Sequence, residues 1–335
     1  MRRRDFISSI GGAAAAWPLA ARGQQPAKTY RIAVVHPSAP VADMSERGGN
    51  PNYAALFREL RRLGYTEGVN LIVARYSGEG REERFPEVCQ EVVRTKPDVI
   101  VASSSRLALS FKAATLTVPI VAIMADPVPS GLVANIARPE GNITGVSSEA
   151  GPEIWGKRLQ ILREVVPTAS KVGFLGSRQA WSQPPLDELR KAAQQLGISL
   201  LGPPMESPFS GEEYRRVLGA MAQEHVDGVI IGDQPEHATY KQLIVDLVRA
   251  AKLPAIFPYR EYFEIGALMA YGTFSPDLYP RLATYIDQIL KGAHPSDLPI
   301  YLTSKFELLI NLTTAKALGL SIPSSLLAHA DEVIE

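Results

Sequence analysis

From Arg31 onward the chain alternates short unbroken apolar runs with segments whose apolar residues recur at helical spacing. Arg31-Ile32-Ala33-Val34-Val35 reads as a buried strand, and Leu56, Phe57, Leu60 and Leu63 then share one helical face that Gly64 ends. The pattern continues as strand Val69–Tyr76, helix Phe85–Thr95, strand Asp98–Ala102, helix Leu107–Thr115 and strand Pro119–Met124. Strands alternating with helices, several without polar alternation, predict parallel sheets covered on both faces.

The pattern then repeats. Lys171–Leu175 is a strand and Leu186–Leu196 a helix closed by Gly197. Asp227-Gly228-Val229-Ile230-Ile231 echoes Asp98-Val99-Ile100-Val101, and Leu253-Pro254-Ala255-Ile256 echoes Val118-Pro119-Ile120-Val121. The offsets of the pairs Gly64/Gly197, Asp98/Asp227 and Pro119/Pro254 are 133, 129 and 135. That near-constancy favours two similar βα lobes over a coincidence of common cadence. Gly141–Val146, Ala267–Gly272 and Ser304–Asn311 are expected to cross between the lobes, with helix Leu278–Leu290 and strand Ile300–Thr303 between the last two. The expected division is 28–145 with about 273–303 in lobe one, and 146–272 with about 304–335, including a C-terminal helix, in lobe two. The fold class is therefore α/β, with two doubly wound parallel-sheet lobes.

The N-terminus has a different pattern. Arg2-Arg3-Arg4-Asp5-Phe6-Ile7 precedes an uncharged run from Ile7 to Ala21, and Ala21-Arg22-Gly23 offers small residues at a cut before Gln24. Residues 1–23 read as a Tat-type export signal, cleaved near Gly23-Gln24. The run is too short to span a bilayer, which takes about 20 residues. No cysteine stands at the cut, so a periplasmic protein without a lipid anchor is expected. Removing the signal takes four arginines and one aspartate from 35 basic and 35 acidic residues, leaving 31 against 34. A net charge of −3 is no footprint for nucleic acid. Apolar residues make up 46% of the chain, enough for two cores. Cys89 is alone and at apolar helical spacing, which excludes an intramolecular disulfide and predicts a buried structural thiol.

In parallel α/β sheets ligands bind outside the carboxyl ends of the strands. The strand-end loops are His36-Pro37-Ser38, Ser103-Ser104-Ser105 and Asp126-Pro127 in lobe one, and Ser177-Arg178, Asp233-Gln234 and Tyr259-Arg260 in lobe two. Ser103, Ser104 and Ser105 open a helix, where hydroxyls and unpaired amides suit a carboxylate or phosphate; plain capping is the other reading. Asp126 suits an ammonium group, or begins an Asp-Pro turn. Asp233 has a similar choice between ligand and cap of a helix starting near Pro235. Trp155, Tyr259 and Tyr271 offer flat faces to an aromatic ligand or to packing. Arg178 and Arg260 suit a carboxylate, or a solvated surface.

The sequence has no G-x-G-x-x-G after the first strand, no P-loop and no Gly-x-Ser-x-Gly elbow, and its five histidines lack metal spacing. No catalytic set, metal or cofactor is expected, which disfavours an exported α/β enzyme.

Many segments in order carry a family resemblance. They include Leu60-Arg61-Arg62-Leu63-Gly64-Tyr65-Thr66-Glu67-Gly68, Asp126-Pro127-Val128, Gly131-Leu132-Val133-Ala134 and Ala137-Arg138-Pro139-Glu140-Gly141-Asn142-Ile143-Thr144-Gly145. Further on come Ala283-Thr284-Tyr285-Ile286-Asp287, Ile289-Leu290-Lys291-Gly292-Ala293, Lys305-Phe306-Glu307-Leu308 and Asn311-Leu312-Thr313-Thr314-Ala315-Lys316-Ala317-Leu318-Gly319-Leu320. Over nearly its whole length the chain resembles the periplasmic substrate-binding proteins of an ABC-transporter family related to tryptophan-binding components. The resemblance implies a type I periplasmic-binding fold, whose two lobes are joined by a three-stranded hinge. It also implies delivery of the ligand to an inner-membrane permease. Relatives with known ligands tend to take aromatic amino acids, and the serine loop and Asp126 match the expected grip on α-carboxylate and α-ammonium. Arg106 departs from the pattern, since a small or proline-containing loop is usual there. It favours a more acidic ligand or points outward.

The expected protein is a monomeric receptor for one small molecule, with a ligand-sensing module for a membrane signalling protein as the alternative. A transcriptional effector is disfavoured, because an export signal stands where a helix-turn-helix would be.

Overall fold

A computed structural model describes residues 28–335 apart from 126, 149, 150, 152, 183, 208, 274–276 and 304. The expected export signal and Asp126 lie outside the described residues. The first half runs β1 (Tyr30–His36), α1 (Pro51–Arg62), β2 (Leu71–Ser77), α2 (Phe85–Arg94), β3 (Val99–Ala102), α3 (Ser105–Ala114), β4 (Ile120–Met124) and β5 (Ile143–Ser147). The second runs α4 (Glu153–Val165), β6 (Lys171–Leu175), α5 (Pro184–Leu196), β7 (Ser199–Leu201), α6 (Gly211–Gln223), β8 (Gly228–Ile231), α7 (Lys241–Ala250), β9 (Ala255–Phe257), α8 (Arg260–Phe263) and β10 (Met269–Thr273). Then come α9 (Leu278–Leu290), β11 (Tyr301–Leu302), β12 (Phe306–Asn311), α10 (Leu312–Ala317), α11 (Ser324–Ala328) and β13 (Glu332–Ile334).

The strands form two sheets, ordered β11-β5-β4-β3-β1-β2 and β13-β12-β10-β9-β8-β6-β7. Among the described residues all strand pairs are parallel except β10 with β12. Helices cover both faces of each sheet, which explains the unbroken apolar strands. In β1, Ile32 and Val34 enter the core shared with α1 and α9, while Ala33 and Val35 enter the core shared with α2 and α3. Cys89 is fully buried in the latter.

The sequence repeat has a physical basis. Arg31 N donates to Asp98 Oδ2 at 2.7 Å, and Ser170 N and Lys171 N donate to Asp227 Oδ2 at 2.7 and 2.9 Å. Each aspartate thus ties the start of a lobe's first strand to the entry of its third. The carbonyls of Pro119 and Pro254 take matching bonds from Ile100 N and Val229 N, at 2.9 and 2.8 Å. Gly64 and Gly197 end their helices at φ +98° and +66°, a left-handed conformation that favours glycine.

Three expectations are corrected. Ile143–Ser147, Met269–Thr273 and Phe306–Asn311 pair inside sheets and are not crossings. The chain changes sheet after β5, after β10 and after β11. Glycine in the first two segments serves close strand approach: a Cβ on Gly145 would overlap Ala122 and one on Gly272 would overlap the Pro258 carbonyl. The C-terminal part of the second lobe is two short helices and an added strand. Among the described residues no helix is long and apolar enough to cross a membrane.

Candidate functional site

Strand order reverses once in each sheet, at β1/β3 and at β6/β8. Helices leave such a point toward opposite faces, opening a crevice beyond the carboxyl ends of the strands. His36 and Ser103 flank the first crevice; Ser177 and the Gly232–Gln234 turn flank the second. Arg106, in the first turn of α3, joins the two across one cleft. Its Nη2 donates to Gln179 Oε1 at 2.6 Å, and its Nη1 lies 3.9 Å from Glu236 Oε1.

The first wall is aromatic. His36 Nδ1 accepts from Ser38 N at 3.0 Å and Ala39 N at 2.7 Å, so the proton of the neutral ring sits on Nε2. Burial lowers its pKa to about 4 and keeps it neutral near pH 7. His36 meets Tyr53 edge-on at 6.2 Å, and Tyr53 meets Tyr279 at 5.4 Å. The Tyr53 hydroxyl and Ser103 Oγ are hydrogen-bonded at 2.9 Å. Ser104 Oγ caps α3 by accepting from Leu107 N. Ser105 Oγ accepts from Ala125 N at 2.8 Å and donates to Ala125 O, tying the helix start to the end of β4. The three hydroxyls therefore have three different partners. An anion would meet the first-turn amides, which a helix leaves without intrahelical partners.

On the second wall, Ser177 Oγ accepts from Ala180 N at 3.1 Å and is buried. The Arg178 side chain is 71% exposed and pairs with Glu206. Tyr259 Oη donates to the Asp233 carbonyl at 3.5 Å. Gln234 precedes the 3₁₀ turn Pro235–Tyr240, and its buried Oε1 has no partner among the described residues. The cap that sequence placed at Asp233 thus falls to Gln234, without a side-chain bond. Trp155 sits in the second lobe's core, edge-on to Phe174 at 5.5 Å and under the Arg158 guanidinium at 4.7 Å. Tyr271 stacks on Phe306 at 5.9 Å. Arg260 holds Glu307 and Glu332, an internal pair of links.

Charge concentrates at the centre. Arg106 pairs with Glu82 of its own lobe and approaches Glu236 of the other. Burial lowers the Arg106 pKa, while Glu236 opposes that shift. Beside Glu236, Tyr214 Oη and His237 Nδ1 are 2.7 Å apart. Burial raises the phenol pKa, so the hydroxyl stays protonated near pH 7 and shares a hydrogen bond with the ring. Burial also lowers His237 to about 4, against the opposing pull of Glu236, Asp233 and the Leu175 carbonyl. Beyond this group opens a cavity of about 230 Å³, lined by Glu79, Gly80 and Arg81 on one side and Phe209, Glu236, Thr239 and Tyr240 on the other.

Sequence reasoning missed Tyr53, Glu82, Gln179, Glu236 and His237. The available signal for two of them was position, since Glu236 and His237 lie two and three residues past the end of the β8 loop at Gln234. Removing the cross-cleft donor has a direct readout. Arg106→Ala should weaken the closed form relative to the open one by about 1.5–3 kcal/mol, the range for hydrogen bonds to charged groups. X-ray scattering of the ligand-free variant should show a larger radius of gyration; a profile identical to that of the unaltered protein would show that Arg106 does not tie the lobes.

The model of a family described as ABC transporter substrate binding protein matches residues 48–334. The tyrosine-binding protein of Clostridioides difficile (strain R20291) is 23% identical over 292 residues, which are 86% of this chain and 79% of that one. A conserved domain protein from Vibrio cholerae O1 biovar El Tor has a solved structure with TM-score 0.81 and 26% identity, covering 91% of this chain and all of the other. The structure of an ABC domain in complex with L-Trp from Streptococcus pneumonia gives TM-score 0.79 at 24% identity, covering 92% of this chain and 100% of that one.

Proposed function

Because the chain belongs to the ABC transporter substrate-binding protein family, we propose that it is the periplasmic receptor of an importer, closing on one amino acid with an aromatic side chain. The observation that carries this reading is the pair of switch-point crevices facing each other across a cleft that Arg106 bridges. A ligand there is enclosed by loops from both lobes, and the permease can read the closed shape. The lobes that move are the two sheets with their helices, residues 28–147 with 277–303, and residues 153–273 with 305–335.

Recognition divides between the walls. The first-turn amides of α3 suit an α-carboxylate, and the helix dipole adds to their attraction. His36 Nε2–H offers one directed donor, and the buried rings of Tyr53 and Tyr279 back it as a rigid apolar wall. The names of two relatives agree with this class, since one is a tyrosine-binding protein and the other was solved with L-Trp. The arginine pair and apolar run of residues 2–21 support export.

A thermal-shift screen of the twenty amino acids tests the reading. One or a few aromatic members should raise the melting temperature, by an amount equivalent to about 2.7 kcal/mol at one hundred times the dissociation constant. No shift with any amino acid would overturn the ligand class and leave family membership intact.

A further inference from the structure

The carboxylates around the centre of the cleft are served unequally. Glu79 pairs with Arg81 and Arg84, and Glu82 pairs with Arg106. Glu236 is the most buried of the three at 2% exposure, and its Oε2 has no hydrogen-bond partner among the described residues. Its other oxygen lies 3.9 Å from Arg106 Nη1, outside hydrogen-bond distance. That guanidinium already serves Glu82 and Gln179. An ionised carboxylate removed from water without close donors is costly, and native proteins keep such groups where a partner arrives.

The space for a partner is present. Glu236 forms part of the wall of the 230 Å³ cavity between the lobes, with the aromatic residues Phe209 and Tyr240 beside it. A carboxylate flanked by aromatic rings favours a cationic nitrogen, through charge and through cation–π attraction. Glu79 and Arg81 stand on the opposite wall and hold each other, so the open demand comes from Glu236. The neighbouring His237 supplies no positive charge near pH 7, because burial keeps it neutral.

We propose that Glu236 is the receptor for a cationic nitrogen of the ligand, taken into the cavity beside Phe209 and Tyr240. This rests on the amino-acid reading and assigns the ammonium end of the ligand to the second lobe. Lobe closure is then selective for zwitterions: the carboxylate is held by lobe one and the ammonium by lobe two, so a ligand lacking either end cannot bridge both.

The test measures the unaltered protein, Glu236→Gln and Glu236→Asp by calorimetric titration and thermal shift. The probes are the twenty amino acids and the des-amino acids of phenylalanine, tyrosine and tryptophan. Every ligand of the unaltered protein should carry an ammonium group. Affinity should fall at least about tenfold in Glu236→Gln, as expected for loss of a charge-assisted hydrogen bond. Glu236→Asp should recover part of the loss. Without ligand, Glu236→Gln should melt at or above the temperature of the unaltered protein, because it removes a buried charge that has no close donor. That result also shows the variant is folded. Des-amino acids binding as tightly as their parents, or unchanged affinity in Glu236→Gln, would overturn the assignment and leave the receptor reading standing. No binding by any amino acid would overturn both.

Discussion

Between about pH 7 and about pH 5 each lobe should lose about 2 kcal/mol of unfolding free energy from one buried histidine. His36 in the first lobe and His237 in the second are each held at about 4, below the ordinary 6.5, with burial as the largest cause. The sign follows from proton binding. Below pH 6.5 the unfolded chain takes up protons that the folded rings refuse, so acid favours unfolding. The stability is fully present above the unfolded value and is lost as pH falls toward 4. Glu261 opposes this modestly, since burial raises its carboxyl pKa. Most carboxylates with a resolved shift, such as Glu59 and Asp227, are lowered and titrate below the window. Urea unfolding at the two pH values measures the loss. Equal midpoints would mean that neither ring is kept neutral by its site.

Gly272→Ala should cost the second lobe about 1–3 kcal/mol or more, the usual range for overpacking. Gly272 pairs with Glu307 of β12 on one side and runs beside the end of β9 on the other. A Cβ there would overlap the Pro258 carbonyl oxygen and sit 3.0 Å from its carbon, and both atoms are backbone. Strand β10 must then move away from the Tyr259–Arg260 turn, which also strains the Arg260 links to Glu307 and Glu332. Calorimetry should show the melting temperature falling by about 3–10 °C. Gly219→Ala is the contrast. Gly219 lies within α6, where a Cβ meets nothing within 4 Å, and alanine should stabilise by up to about 1 kcal/mol. If both variants melt alike, close strand approach is not why Gly272 is glycine.

The lobes were legible because burial on both faces leaves a plain mark: strands such as Val99–Ala102 are apolar at every position. The repeat was legible because Asp98 and Asp227 perform the same backbone task in each lobe. The crossings were misread because β-rich segments with glycine look alike whether the glycine frees the backbone or lets strands approach, as at Gly145. Helices α4, α6 and α7 were passed over, since their polar faces dilute the apolar spacing. At the cleft, the loops were located by the rule of strand ends, but side-chain duties were not. Nothing in Ser103-Ser104-Ser105 tells which hydroxyl caps, which bonds Tyr53 and which ties Ala125. Glu236 was missed because a buried acid in a 3₁₀ turn reads, in sequence, like any exposed one.

The solitary thiol of Cys89 lies fully inside the first lobe, and burial pushes its pKa up to about 12. A thiol so placed is hardly ever a thiolate near neutral pH, and the thiolate is the form that alkylates. The folded protein is therefore chemically blank toward maleimides. Two cysteines introduced at exposed positions, such as Glu79 and Arg178 on opposite lobes, would be the two that take dye. Energy transfer between them would follow the cleft breathing in real time without first engineering the natural residue away.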